Sequence, residues 1–267
     1  MSLYFRTLCS NSRGNCLTIW TENSCVLIDC GFRSQILCER TLTEHFGHKP
    51  QVDGVVVTHN HSDHINYSSL RVLEMHGLKV RTHEKNIDQL QRKHFRGRIF
   101  EDLKLIPFSD KSFEMGELYF EPIRLFHHPE YLTFGFLIRY RQKDIWYKIV
   151  IASDLCDGRA ILEYLIDADF IYIESNHAPE LLALYPNYNS HFHMSNLKTS
   201  EVLCIARTKS RHAPKAVMLG HLSFIRNDAD LVLRSLQTTF QQSGQNLDYK
   251  IYVAPRYEES SPIKIVE

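Results

Sequence analysis

The sequence has 267 residues, of which 43% are hydrophobic and 23% are charged, as is typical of a soluble globular protein. Its formal net charge is zero, so charge alone favours neither a nucleic acid nor an anionic membrane as a partner, and it excludes no local basic surface. The amino terminus lacks the pattern of a signal peptide, no apolar run has the length of a membrane span, and the seven cysteines form no Cys-x-x-Cys pair. We therefore expect a cytoplasmic protein with reduced thiols and no membrane partner.

Short strands separated by turn residues dominate the beginning of the chain. Alternation of apolar and polar residues, or a short apolar run, identifies each strand, and apolar residues spaced three or four apart identify each helix. The elements predicted up to residue 106 are strands at 4–8, 16–20, 24–29, 53–57, 78–80 and 103–106, and helices at 33–46, 65–76 and 84–95.

After residue 106, strands again precede units of one strand and one helix. The predicted elements are strands at 118–126, 134–140, 145–151, 170–173, 216–219 and 251–253, and helices at 158–166, 195–209 and 227–242, the last with Asn227 as its amino-terminal cap. No internal repeat, low-complexity segment or linker separates the two halves. We therefore expect a single domain over residues 1–267, made of two packed sheets with helices outside.

One segment of the chain is strongly basic. Seven lysines and arginines lie between residues 79 and 98, against the two acidic residues Glu84 and Asp88. A solvent-exposed helix face accounts for such a run, and so does a surface that follows the phosphates of a nucleic acid near the active site. The sequence leaves both interpretations open.

The stretch Thr58-His59-Asn60-His61-Ser62-Asp63-His64 is the most informative in the sequence. It holds four potential metal ligands within six residues and directly follows an apolar β-branched run at 55–57, which is typical of a buried strand. Histidine is the commonest metal ligand among side chains, and a nearby carboxylate binds an ion or orients a water molecule. The spacing predicts a metal-binding turn in which two imidazoles face one ion, while Asp63 and His64 face a second.

Several other residues with ligand chemistry share one feature: each follows an apolar predicted strand. They are Asp29, the pair His127 and His128, Asp154, His177 and His221. Strand ends at one edge of a sheet converge, so we expect these residues to meet the metal-binding turn in a single cleft.

Together these residues resemble the metallo-β-lactamase fold, and the resemblance covers essentially the whole chain. It implies an α/β (α+β) protein, an αββα four-layer sandwich, with a dinuclear metal site at one edge. The residues implied for one ion are His59, His61 and His128, and those for the other are Asp63, His64 and His221, with Asp154 as the bridge. Asp29 would support this site without binding an ion. Zinc fits such a set of nitrogen and oxygen ligands, and manganese fits it too.

Two adjacent histidines, His127 and His128, are candidates for the third histidine ligand of the first ion. If the preceding strand continues, their side chains face opposite ways, and one ion takes only one of them. The spacing from His128 to Gly135 and Phe136 resembles that of a narrower group within the fold, so His128 is the predicted ligand. His127 is then expected to support the site or to contact the substrate.

That narrower group is suggested by four short motifs: residues 10–15 (SNSRGN), 174–177 (ESNH), 193–196 (HMSN) and 221–223 (HLS). They resemble the signatures of the YycJ/WalJ-type group, whose members are described as DNA exonucleases. The chain departs from the pattern of this group at Asn11, Pro129, Phe192, Met194 and Arg226. The implied ligand set is intact, so these departures concern substrate preference more than hydrolysis.

The resemblance also implies roles in catalysis. A hydroxide bridging the two ions would attack phosphorus, and Asp63 would accept a hydrogen bond from it. We expect His193 to protonate the leaving group, and substrate contacts are expected from Ser12, Asn15, His177 and Asn196. For these residues a purely structural role remains an open alternative.

The sequence therefore predicts a dinuclear metal-dependent hydrolase, most simply a phosphodiesterase or DNA exonuclease whose partner is its DNA substrate. An aspartate in the bridging position is typical of phosphodiesterases, glyoxalases and lactonases of this fold. Hydrolysis of a small ester, thioester or lactone on the same metals is thus the alternative activity, and a non-enzymatic regulatory module is a third hypothesis. An open groove would favour the nuclease, since a small substrate needs a deeper pocket.

Overall fold

The computed structural model describes residues 2–11, 14–46, 52–256 and 258–267. In these ranges the chain forms two seven-stranded sheets. The strands up to residue 125 are β1 (Leu3–Asn11), β2 (Gly14–Trp20), β3 (Cys25–Ile28), β4 (Val52–Val56), β5 (Lys79–His83), β6 (Lys104–Phe108), β7 (Phe113–Met115) and β8 (Leu118–Leu125). The remaining strands are β9 (Thr133–Gln142), β10 (Ile145–Ala152), β11 (Phe170–Glu174), β12 (Ala216–Gly220), β13 (Lys250–Val253) and β14 (Ile263–Val266).

Seven α-helices accompany these strands within the described ranges. They are α1 (Gln35–Phe46), α2 (Tyr67–Met75), α3 (Ile87–His94), α4 (Leu162–Leu165), α5 (Pro179–Leu184), α6 (Asn196–Lys209) and α7 (Ala229–Gln242). Short 3-10 helices cover Glu84–Asn86, Gly158–Ala160 and Tyr188–Phe192. None of the helices in the described ranges has both the length and the apolarity needed to cross a membrane.

The two sheets have matching topology. The first sheet has the order β14-β1-β2-β3-β4-β5-β6, with antiparallel pairs up to β3 and parallel pairs from β3 to β6. The second has the order β13-β12-β11-β10-β9-β8-β7, with antiparallel pairs from β7 to β10 and parallel pairs from β10 to β13. The carboxyl ends of the parallel strands therefore lie together at one edge of each sheet, where ligands bind in sheets of this kind.

Apolar side chains fill three layers between the sheets and the helices. Phe5 of the first sheet packs against Phe170 of the second, with ring centroids 4.7 Å apart, in the core between the sheets. Leu42 and Leu73 lie between the first sheet and helices α1 to α3, and Leu236 lies between the second sheet and helices α4, α6 and α7. Burial of each such side chain contributes about 1.5–3 kcal/mol. The arrangement is helix, sheet, sheet, helix, which confirms the predicted αββα four-layer sandwich.

The structure also corrects details of the predicted elements. Helix α7 begins after Asp228, whose side chain accepts a hydrogen bond from Leu231 N, so Asn227 is not the cap. Ile36 and Met75, two apolar positions of the predicted helices, are 80% and 56% exposed. Strands β7 and β14 and helix α5 were not predicted. They have three, four and six residues, and segments this short carry little periodicity.

Candidate metal centre

The predicted metal-binding turn lies at the carboxyl end of β4, with His59 and His64 fully buried. Asp29, which follows β3, fixes the start of this turn because its carboxylate accepts hydrogen bonds from Thr58 N (2.8 Å) and Thr58 Oγ1 (2.8 and 3.0 Å). Thr58 Oγ1 also lies 3.0 Å from His59 Nδ1, which leaves Nε2 of that ring to face the cleft. Asp29 thus orients residues of the turn from behind.

One group of potential ligand atoms gathers around the two histidines of the turn. His59 Nε2 lies 2.9 Å from His61 Nδ1, which in turn lies 3.3 Å from His127 Nε2. Asp154 completes the group, since its Oδ1 lies 3.7 Å from His127 Nε2. Four side chains from three separate strand ends therefore converge on one point.

The third histidine of this group is His127, whereas the sequence analysis favoured His128. Ile123 and Leu125 of β8 are buried, Phe126 is 62% exposed, and this alternation turns the next side chain inward. The His127 side chain is 2% exposed, and its Nδ1 lies 2.9 Å from the carbonyl oxygen of Phe192. His128 lies instead at the rim, where its ring contacts Phe192. The alternation through Ile123 and Leu125 was the sequence signal for His127.

A second group of ligand atoms forms beside the first. It consists of Asp63, His64 and His221. Asp63 Oδ2 lies 3.6 Å from His64 Nε2 and 3.8 Å from His221 Nε2. Asp154 contacts this group as well, because its Oδ2 lies 3.1 Å from His64 Nε2 and its Oδ1 lies 3.5 Å from His221 Nε2. Asp154 therefore stands between the two groups, as expected for a bridging carboxylate.

Three of these residues have an unusual backbone. Asp29, Asp154 and His221 follow β3, β10 and β12, and their φ angles are 62°, 60° and 55°. Residues other than glycine rarely adopt this left-handed conformation, which costs energy that the surrounding structure must supply. The turn it produces ends each strand abruptly and directs a polar side chain across the edge of the sheet.

The charges within the site suit a cation. Burial lowers the pKa of His59 well below its usual value and that of His61 to about 3, so both rings are neutral and offer lone pairs. Burial opposes the ionised form of Asp154, but His221 and His64 outweigh it and hold the pKa of this carboxyl well below its usual range. Burial also opposes the charged form of His221, yet the neighbouring carboxylates, Asp154 first and then Asp63 and Glu174, raise its pKa to about 10.

These residues fit two divalent metal ions. His221 Nε2 is buried and has no hydrogen-bond partner among the described residues, which is costly unless something else binds it. Ligands about 2.1 Å from a tetrahedral zinc ion lie roughly 3.4 Å from one another. The ligand atoms of the first group all lie within 4.8 Å of one another, and His61 Nδ1 lies 3.3 Å from His127 Nε2. A mixed set of imidazoles and carboxylates is also the chemistry that zinc and manganese accept.

Glu174, the last residue of β11, connects both groups and was missed as a site residue. Its buried carboxylate accepts hydrogen bonds from the backbone N of Asp154 (3.1 Å) and of Met194 (2.7 Å). It also lies 3.1 Å from His193 Nδ1 and 3.4 Å from His221 Nδ1. Burial favours the neutral form of Glu174, but His193 outweighs this and lowers its pKa to about 2. Its place at the end of an apolar strand was the available signal.

His193 lies at the edge of the site and is 15% exposed. Its ring stacks on that of His221, with centroids 5.2 Å apart, and its Nδ1 lies 3.7 Å from Asp154 Oδ1. Since Glu174 is next to Nδ1, the other ring nitrogen is free to face a ligand in the cleft. Ser195 caps helix α6 by accepting a hydrogen bond from Lys198 N.

The described residues that were predicted to contact substrate do not line the cleft. Asn15 is buried behind the site, and its Nδ2 donates to Asp63 Oδ2 at 3.2 Å, so it supports that carboxylate. His177 and Asn196 are also buried, and they are absent from the described residues that line the cleft. Asn196 Oδ1 accepts hydrogen bonds from Ser175 Oγ and Asn227 Nδ2, which indicates a structural role. Ser12 lies outside the described residues.

The site opens into a cleft of about 400 Å³ with a predominantly polar wall. His61, Asp63, His127, Asp154 and His221 lie at its base. Its rim is formed by residues from two segments that follow β8 and precede α6. These are His128, Glu130, Tyr131, Asn187, Asn189, Ser190, Phe192 and His193.

Comparison with known proteins identifies the family. Residues 25–221 match the family model of the beta-lactamase superfamily domain. The chain belongs to this superfamily. The metallo-β-lactamase fold predicted from the sequence is thereby confirmed, and the groups around Asp154 are the His/Asp clusters that a metal-dependent hydrolase of the superfamily needs.

Two curated relatives of this superfamily member match over nearly the full length. The exodeoxyribonuclease WalJ of Streptococcus pneumoniae is 25% identical, with 93% of each chain covered. The exodeoxyribonuclease YycJ of Bacillus anthracis is 26% identical, with 91% of each chain covered. Among solved structures, the metallo-beta-lactamase fold protein YhfI of Bacillus subtilis has a TM-score of 0.73 and 17% identity, covering 99% of this chain and all of the other. The distant relationship to the WalJ and YycJ exodeoxyribonucleases confirms the predicted resemblance.

Proposed function

We propose that this hydrolase is a phosphodiesterase that degrades DNA as an exonuclease. The observation that carries the proposal is the pair of His/Asp groups sharing Asp154 in an open polar cleft. Phosphodiester hydrolysis needs positive charge on both sides of one phosphate, and two ions held side by side provide it. The near full-length similarity to two exodeoxyribonucleases supports DNA as the substrate.

The proposed ligands are divided between two ions. His59, His61 and His127 would hold one ion, while Asp63, His64 and His221 would hold the other, and Asp154 would contact both. Zinc is the proposed metal and manganese the alternative, because both accept these ligands. When bound, the ions would lower the pKa of a coordinated water and neutralise charge on the phosphate oxygens.

Two further residues of this chain would handle protons. Asp63, whose side chain is 21% exposed at the base of the cleft, would accept a hydrogen bond from the attacking water. His193 would donate a proton from its outward nitrogen to the leaving oxygen, while Glu174 beside Nδ1 holds the ring in place. Asp29 and Asn15 would keep His64 and Asp63 oriented.

The basic segment reaches the rim of the cleft. Lys93 of α3 donates a hydrogen bond to Tyr131 Oη, and the Tyr131 ring lies over His61 with centroids 3.8 Å apart. Arg92, Arg96 and Arg98 belong to the same segment and are exposed. A basic segment that contacts the rim of the cleft supports a polyanionic substrate over a neutral ester.

The proposed function is tested by assaying one preparation on two kinds of substrate. Purified protein with measured zinc and manganese content is incubated with end-labelled single-stranded and duplex DNA, and in parallel with a panel of esters, thioesters and lactones. We expect release of nucleotides from DNA and little turnover of the panel. Intact DNA together with rapid hydrolysis of a small ester would contradict the proposal.

Lys93→Gln is expected to weaken DNA binding through a lost phosphate contact. Each such contact releases counterions, so the slope of log affinity against log salt concentration should become shallower by about 1. Fluorescence anisotropy with labelled DNA across a salt series measures this slope. Lys209→Gln removes the same charge from α6, outside the basic segment, and should leave the slope unchanged. A wild-type slope in Lys93→Gln would exclude α3 from the DNA interface.

A further inference from the structure

One wall of the cleft presents a single basic side chain. Among the described residues that line the cleft, Arg226 is the one arginine or lysine. It lies in the loop between β12 and α7, three residues after Ser223, which also lines the cleft. The ligand groups at the base of the cleft do not include it.

The loop that carries Arg226 is held firmly. The guanidinium of Arg256 donates to the carbonyl oxygens of Ser223, Phe224 and Asn227, and so joins both ends of the loop. The carbonyl of Arg226 itself accepts a hydrogen bond from Ala178 N at 2.8 Å. The position of the Arg226 backbone is therefore fixed before any ligand binds, which lowers the entropic cost of binding.

The Arg226 guanidinium is only partly used within the protein. Its Nε donates to the carbonyl oxygen of Tyr185, which orients the group. No acidic side chain in the described part of the chain forms an ion pair with it, and its two terminal nitrogens have no acceptor there. Of the acidic residues lining the cleft, Asp63 and Asp154 belong to the ligand groups. An oriented guanidinium with free donors is suited to bind an anion with two oxygens.

We propose that Arg226 forms a second phosphate subsite, which binds a phosphate of the substrate other than the one being hydrolysed. The inference rests on the proposed function, because the hydrolysed phosphate occupies the base of the cleft and Arg226 stands on its wall. The hydroxyl and amide side chains of Ser223 and Asn189 line the same cleft and add neutral donors. The ligand class is a phosphomonoester or phosphodiester of a nucleotide chain, and a neutral ester offers nothing to this group.

The subsite is tested by comparing ligands with one and with two phosphates. Metal-loaded wild-type protein and Arg226→Gln are titrated by calorimetry with a deoxynucleoside 5′-monophosphate and with the matching 3′,5′-bisphosphate. A charged hydrogen bond to phosphate corresponds to about a tenfold change in affinity, so Arg226→Gln should bind the bisphosphate about tenfold more weakly. In this variant the affinity for the bisphosphate should therefore approach the affinity for the monophosphate. Arg234→Gln on exposed α7 should leave both affinities unchanged.

The source of the phosphate is distinguished by assays on 5′-phosphorylated and 5′-hydroxyl strands. If a terminal phosphate binds Arg226, the wild type prefers the phosphorylated strand and Arg226→Gln loses this preference. If an internal phosphate binds, Arg226→Gln is impaired equally on both strands, and either result supports the subsite. Unchanged bisphosphate affinity in a folded Arg226→Gln would overturn the proposal. The titration needs no catalysis. It can therefore show that the subsite is absent although the protein hydrolyses DNA, or that the subsite is present although the protein does not hydrolyse DNA.

Discussion

Asp154→Asn is expected to reduce DNA hydrolysis by about a thousandfold or more, since it removes charge from the centre of the catalytic site. Asp154 Oδ2 faces His64 and Oδ1 faces His221 and His127, so a single substitution affects both ligand groups. Asparagine has nearly the same size, which keeps the packing. The measurement is the initial rate on end-labelled DNA, together with metal content by mass spectrometry on the same preparation.

Asp157→Asn is the matched control for this substitution. Asp157 lies three residues further along the chain and pairs with the exposed Arg159, away from the cleft. It should retain the wild-type rate and the wild-type metal content. A folded Asp154→Asn protein that keeps both would show that Asp154 does not join two metal sites.

His193→Ala is expected to lower kcat on DNA by about a hundredfold or more, as is typical when a general acid is lost. The alkoxide leaving group of DNA needs a proton, whereas a p-nitrophenolate leaving group does not. The loss should therefore be less than about tenfold on bis(p-nitrophenyl) phosphate. His191→Ala is the control, because His191 is exposed and does not line the cleft.

Two outcomes would contradict this role for His193. Equal losses on both substrates, with reduced metal content, would make His193 a metal ligand, since it also lies near Asp154 and His221. Wild-type rates on both would exclude it from catalysis. Glu174→Gln offers a second variant, because it keeps the size of the side chain that orients His193 but removes its charge. It should reproduce part of the His193→Ala effect on DNA.

The sequence predicted the layered fold because each long element carries its own periodicity. The apolar run of β4 and the apolar positions of α2 at Leu70, Val72 and Leu73 are examples, and all of these side chains are buried. The sequence did not predict elements that are recognised only by their pairing with another strand. Strand β14 is a strand because it pairs with β1, from Leu3 with Val266 to Phe5 with Ile263, and no local pattern records a pairing between such distant residues.

The candidate site was likewise predicted only in part. The turn from His59 to His64 is local, so spacing alone predicted its chemistry. The third histidine depended on which way β8 leaves the sheet, and spacing within a family pattern pointed to His128 where the alternation of the strand gives His127. Glu174 lies in the 174–177 motif, but its role was missed because the backbone groups that donate to it belong to distant segments of the chain.

The proposed ligand residues come from both sheets, so they are synthesised at different times. His59, His61, Asp63 and His64 leave the ribosome early, but His127, Asp154 and His221 belong to the second sheet and follow later. The full set of proposed ligands exists only once the two sheets have docked, so we expect metal uptake to follow docking and not to nucleate folding. Since β14 is the outer partner of β1, the first sheet keeps an open edge until Ile263–Val266 has been made.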